Sequence, residues 1–125
     1  MEDLLAQGSV PEKKTPHYSL DDLRRAIDDK RILVTKPANE GAWDAGFDSS
    51  DIPDCLRALQ PDDFHKAQAH EVVDDVWLDI YRPRYRNRDM YVKFHEDTFG
   101  RPDRFVIRSF KIDESPWTKR REEER

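Results

Sequence analysis

The chain has 125 residues, enough for one domain with one core. Charged residues make up 39% and hydrophobic residues 36%, and no apolar run approaches the ~18 residues that cross a bilayer. The net charge of −5 argues, taken whole, against a polyanionic ligand.

Residues 1–14 carry Glu2, Asp3 and Glu12 with no apolar h-region, so they read as a flexible lead-in and not as a secretory signal. Thr15-Pro16-His17-Tyr18 is an extended entry, because proline disfavours helix in the residue before it. Ser19 then caps a helix that ends near Lys30, with Asp21 and Asp22 at its positive end and Leu20, Leu23 and Ile27 along one stripe. Ile32–Thr35 is a short strand. Ala38–Asp48, with Gly41 and Gly46, reads as a loop anchored by Trp43 and Phe47.

A second helix spans Ile52–Leu59, whose apolar spacing buries Cys55. That lone cysteine excludes an internal disulfide and a cysteine-held zinc site, and it suits a reducing, cytoplasmic setting. Pro61-Asp62-Asp63 has the signature of a further helix N-terminus, which would carry Phe64, His65 and Lys66. Beyond it, Val72–Tyr85, Met90–His95 and Arg104–Ile112 are rich in β-branched and aromatic residues. Arg86–Asp89 is short enough for a hairpin, and Gly100–Asp103 marks a longer turn. The class is α+β, with N-terminal helices packed on an antiparallel sheet. Residues 15–112 form the domain, and 113–125 a charged, frayed tail containing Trp117.

Charge is unevenly placed. Residues 1–75 hold nine Lys/Arg against seventeen Asp/Glu, whereas 76–111 hold nine against five. One basic face can bind phosphates despite an acidic total. A solvated strand surface balanced by acidic helices accounts for the same counts. No GxGxxG, P-loop, HExxH or nucleophile elbow is present, and the four histidines lack metal-ligand spacing. What stands out is Tyr81-Arg82-Pro83-Arg84-Tyr85. Arg82 and Arg84 would share a side of an edge strand, where two guanidiniums fit a phosphate. Tyr91 and Lys93 share a face of the next strand, and Lys111 ends the last. Such a set can grip an RNA backbone and stack a base.

These residues resemble the motility quorum-sensing regulator (MqsR) toxins. The resemblance rests on Lys13-Lys14-Thr15-Pro16-His17, Asp63-Phe64-His65-Lys66, Trp77–Arg84, Met90–Lys93 and Ser109-Phe110-Lys111, in that order. It covers residues 13–111 and implies a small RelE-like fold and a sequence-specific, metal-independent endoribonuclease that cuts single-stranded mRNA. It also implies a cognate, DNA-binding antitoxin as partner, with neither a membrane nor a small-molecule cofactor involved. By the same resemblance Lys66, Tyr91 and Lys111 are catalytic. Arg82, Arg84, Tyr81, Lys93, Arg108 and His95 are then the RNA-binding set. The family has a glutamine where this chain has Leu78, so either another group, such as His95, supplies that contact or activity and base preference differ from the family's. A toxin-like module that binds RNA or protein without cutting is the alternative that Leu78 leaves open.

Overall fold

The structure, a computed structural model, describes residues 10–97 and 103–114. The elements in chain order are β1 (Glu12–Lys13), α1 (Leu20–Asp28), β2 (Ile32–Val34), α2 (Lys36–Asp44) and α3 (Asp51–Arg57). A 3₁₀ turn (Pro61–Asp63) leads into β3 (Phe64–Ala69), β4 (Trp77–Tyr81), β5 (Arg84–Tyr85), β6 (Arg88–Glu96) and β7 (Phe105–Ile112). The α+β class is as expected. The strand order is β1-β3-β4-β6-β7-β2, with β5 paired to the start of β6. All pairings are antiparallel except β2 with β7.

The helices bury one face of this sheet. Leu23 and Ile27 of α1, Ala38 and Ala42 of α2, and Ile52 and Leu56 of α3 close over Tyr81, Met90, Val92, Phe94, Ile107 and Phe110. Ser19 starts α1 as expected, its hydroxyl accepting from the backbone of Asp21 at 3.1 Å and of Asp22 at 3.3 Å. Cys55 is buried, and burial pushes its thiol up to about 12, so it serves as a small core residue.

Two expected elements differ. The loop placed at Ala38–Asp48 is mostly helix α2. Thr35 caps it by accepting from Ala38, and Pro37 sits in the first turn, where a missing N–H costs nothing. Gly41 serves close packing here. A Cβ at that position would overlap the carbonyl oxygen of Phe110 on β7. Trp43, expected to anchor this segment, is 57% exposed, whereas Phe47 does pack edge-on to Tyr85 and Phe110. The helix expected to carry Phe64, His65 and Lys66 is a single 3₁₀ turn, and those three residues open β3.

The ends of the domain are also better tied than expected. Glu12–Lys13, within the supposed lead-in, pairs with Gln68 and Ala67. Asp113, placed in the tail, is buried. The turn from Gly100 to Pro102 and the tail from Ser115, with Trp117, lie outside the described residues. The hairpin lies where the sequence puts it. Arg86 and Asn87 have φ of 48° and 67°, the two positive values of a type I′ turn.

Two bulges decide which side chains face away from the helices. In β3 the register steps from Phe64↔Tyr81 to Lys66↔Ile80, so His65 is an extra residue. In β7 it steps from Ile107↔Phe94 to Ser109↔Lys93, so Arg108 is extra. Each bulge reverses the in–out alternation beyond it. Phe64 can therefore face the helices and Lys66 the other side. Likewise Ile107 and Phe110 both reach the core while Arg108, Ser109 and Lys111 do not.

Candidate functional site

The face opposite the helices is a cationic surface laid out by strand register. The row Lys66–Ile80–Lys93–Ser109 crosses β3, β4, β6 and β7. Tyr91 and Lys111 are direct partners in the adjacent row, and Lys111 Nζ lies 5.3 Å from the centroid of the Tyr91 ring. Tyr91 and Lys111 also line a cavity of about 340 Å³ with Ile112, Asp113 and Glu114. Lys93 is diagonal to Lys111, about 7–8 Å away between Cα atoms.

The electrostatics single out Lys93. Burial, then the charge of Lys111 and, more weakly, of Lys66, hold its ammonium below the usual lysine range. Burial and the carboxylate of Asp113 push the Tyr91 hydroxyl the other way, so it keeps its proton. Lys66 does not meet Lys111: they are three strands apart, about 14 Å at strand spacing. Its ammonium instead contacts the Glu12 carboxylate at 2.6 Å.

His95 is buried among these residues with both ring nitrogens engaged. Nδ1 meets the Glu96 carbonyl at 2.7 Å, and Nε2 accepts from Arg108 Nε at 2.9 Å. The proton therefore sits on Nδ1, and burial keeps the ring below its usual pKa, hence neutral. Held this way, His95 orients Arg108 and has no nitrogen left to replace a glutamine at position 78. The side-chain amide on this face comes from Gln68, the direct register partner of Leu78.

Of the other expected RNA contacts, Tyr81 lies elsewhere, whereas Arg82 and Arg84 each hold a carboxylate of the protein. Tyr81 is 1% exposed on the helix-covered face, stacked on Phe94 at 5.7 Å and edge-on to Phe64. Arg82 pairs with the buried Asp113 at 2.5 Å, and Arg84 pairs with the buried Asp89 at 3.1 Å. The two guanidiniums are thus each paired with a separate carboxylate of the protein, and the charge of Arg82 reaches Tyr91. Asp79, which sequence reasoning passed over, is fully buried, and its carboxylate accepts from the backbone N–H groups of His17 and Tyr18. It ties the entry segment to β4. Among the described residues no three His, Cys, Asp or Glu side chains gather as a metal-ligand set.

Residues 15–111, including all the strands of this surface, match the family described as motility quorum-sensing regulator, toxin of MqsA. The chain belongs to that toxin family. A curated relative, the mRNA interferase toxin MqsR of Escherichia coli (strain K12), is 28% identical over 82 residues, covering 66% of this chain and 84% of the relative. Within this toxin the structure brings together Tyr91, Lys93, Lys111, His95 and Arg108, and leaves Lys66 at the far end of the same face. Sequence reasoning missed Gln68, His70 and Ser109, and the two bulges that set their neighbours' direction leave no local signal.

Proposed function

We propose that this toxin cuts single-stranded mRNA on its open sheet face, with the ribose 2′-hydroxyl as nucleophile and no metal or cofactor. Its family makes it an endoribonuclease of a toxin–antitoxin pair, an mRNA interferase that blocks translation. The observation that carries the site assignment is Lys93, half-buried beside Lys111, with its ammonium held below the usual range.

The neutral amine of Lys93 takes the 2′-OH proton. The 2′ oxygen bonds to phosphorus as the bond from phosphorus to the 5′ oxygen breaks; the departing 5′ oxygen takes up a proton from solvent water, and Lys93 returns to solvent the proton it took. The products are a 2′,3′-cyclic phosphate and a 5′-hydroxyl. Tyr91, which keeps its proton, donates to the reacting phosphate. Lys111 stabilises the phosphorane-like charge, and the cations need no rearrangement to do so. Lys66 and Arg108 hold neighbouring phosphates. No helix of the described residues is long and apolar enough to cross a membrane, and the toxin acts in the cytoplasm, held in check by an antitoxin that also binds DNA.

Purified toxin incubated with RNA in EDTA should yield cyclic-phosphate and 5′-hydroxyl ends. Lys93→Arg should keep RNA affinity and lose cutting, since arginine cannot give up its proton. A requirement for Mg²⁺, or full activity in Lys93→Arg, would overturn the assignment.

A further inference from the structure

Beside Lys93 the open face sinks into a cavity of about 340 Å³, lined by Gln68, His70, Leu78, Lys93, Arg108 and Ser109 among others. Its volume lies within the range of small-ligand pockets, roughly 300–1,000 Å³. We propose that this cavity is a nucleobase pocket: it takes one unstacked base of the RNA whose phosphate lies at Lys93 and Lys111, and Gln68 reads that base's edge. The proposal rests on the reading of the open face given above.

The chemistry of the lining fits a base better than a second phosphate. Leu78 supplies an apolar wall for a ring. The Gln68 amide offers a donor and an acceptor side by side, the pattern that pairs with a base edge. Ser109 adds a hydroxyl. His70 accepts two backbone N–H groups, from Val72 and Val73, on Nδ1 at 3.0 Å, which leaves Nε2 as a further donor. The two cations stand at the rim shared with the catalytic row. Lys93 belongs to both the pocket and that row, and Arg108 is fixed by His95. A chain held by its phosphates there has a base within one nucleotide of the opening. Single-stranded RNA is read in this way, with bases splayed out and bonded along their edges.

The test uses the full-length toxin on an RNA pool randomised around a fixed backbone, with cut ends sequenced. Wild type should show a base preference at a position next to the cut. Gln68→Leu should weaken that preference at one position by about tenfold or more, a single good bidentate pair being worth that much, while the cutting rate on the pool falls less. Ser109→Ala, a milder change, should shift the same position. Thermal melts of each variant check folding. An unchanged preference in both folded variants overturns the pocket, as does an equal loss at every sequence. If wild type does not cut, the same pool made with 2′-deoxy residues is selected by binding. A base preference that Gln68→Leu abolishes then keeps the pocket and rejects the catalytic reading, and no preference rejects the pocket.

Discussion

Tyr81 and Tyr91 sit on neighbouring strands of one sheet and do opposite work. Tyr81 faces the helices, stacks on Phe94 and is closed to water. Tyr91 faces away from them, beneath the Lys111 ammonium. Burial raises both hydroxyls, that of Tyr81 to about 12. Residue type and proton affinity therefore do not separate core from site; the side of the sheet does. One face is held by packing and its substitutions should cost stability. The other is held by register, and its substitutions should cost chemistry.

The largest effects test that division directly. Tyr81→Ala should lower unfolding free energy by about 3–5 kcal/mol, read from urea denaturation. Tyr91→Phe and Lys111→Ala should leave stability within about 0.5 kcal/mol and slow RNA cutting about 10²–10⁴-fold. A Tyr91→Phe protein that unfolds early and cuts normally would erase the distinction.

The pH profile sharpens it. A lysine base is active only as its neutral form, which grows tenfold per pH unit below its pKa. The cutting rate should thus climb with pH across the neutral range and level off below pH ~10.4, the ordinary lysine value, because Lys93 is held lower. His95, already neutral there, adds no limb of its own. A rate that falls as pH rises from 6 to 8 would contradict this.

Arg82 lies beside Tyr91 of the open face and is hydrogen-bonded to Asp113. Paired with buried Asp113, it should behave as structure: Arg82→Ala lowers stability by about 2 kcal/mol and leaves the salt dependence of RNA binding unchanged. A salt slope smaller by about one would instead mark it as a phosphate contact. The smallest effect should come from Glu12. Its exposed carboxylate occupies the Lys66 ammonium that RNA would use, so Glu12→Gln should tighten RNA binding by about fivefold or less, measured at low salt.

The sequence carried much of this organisation. Periodicity and caps placed α1, α3, β4, β6 and β7, and Arg86-Asn87 fell at the expected hairpin. Glycine misled at Gly41, where it signals close approach of helix and strand and not a loop. Pro61-Asp62-Asp63 misled because a helix start was read as a whole helix, when only one turn follows. Alternation grouped Trp77, Asp79 and Tyr81 on one side of β4 but could not say which side the helices would cover. The partners of Arg82 and Arg84 are Asp113 and Asp89, and local spacing gave no sign of the first, 31 residues away. Tyr91, Lys93 and Lys111 were legible because they sit on strong strands whose residues also carry the family resemblance. Gln68 was not, since its meaning comes only from lying across from Leu78.

The bulges at His65 and Arg108 give two strands of this toxin a residue to spare. Removing either one would leave a regular ladder with every later side chain on its present side, because Lys66↔Ile80 would directly follow Phe64↔Tyr81, and Ser109↔Lys93 would directly follow Ile107↔Phe94. A deletion at Asp79 in β4, which has no such residue, would instead turn Tyr81 out of the core and Ile80 into it. A one-codon deletion at either bulge should therefore be better survived than one within β4. Over evolutionary time the length of β4 is under tighter constraint than the length of β3 or β7 at their bulges.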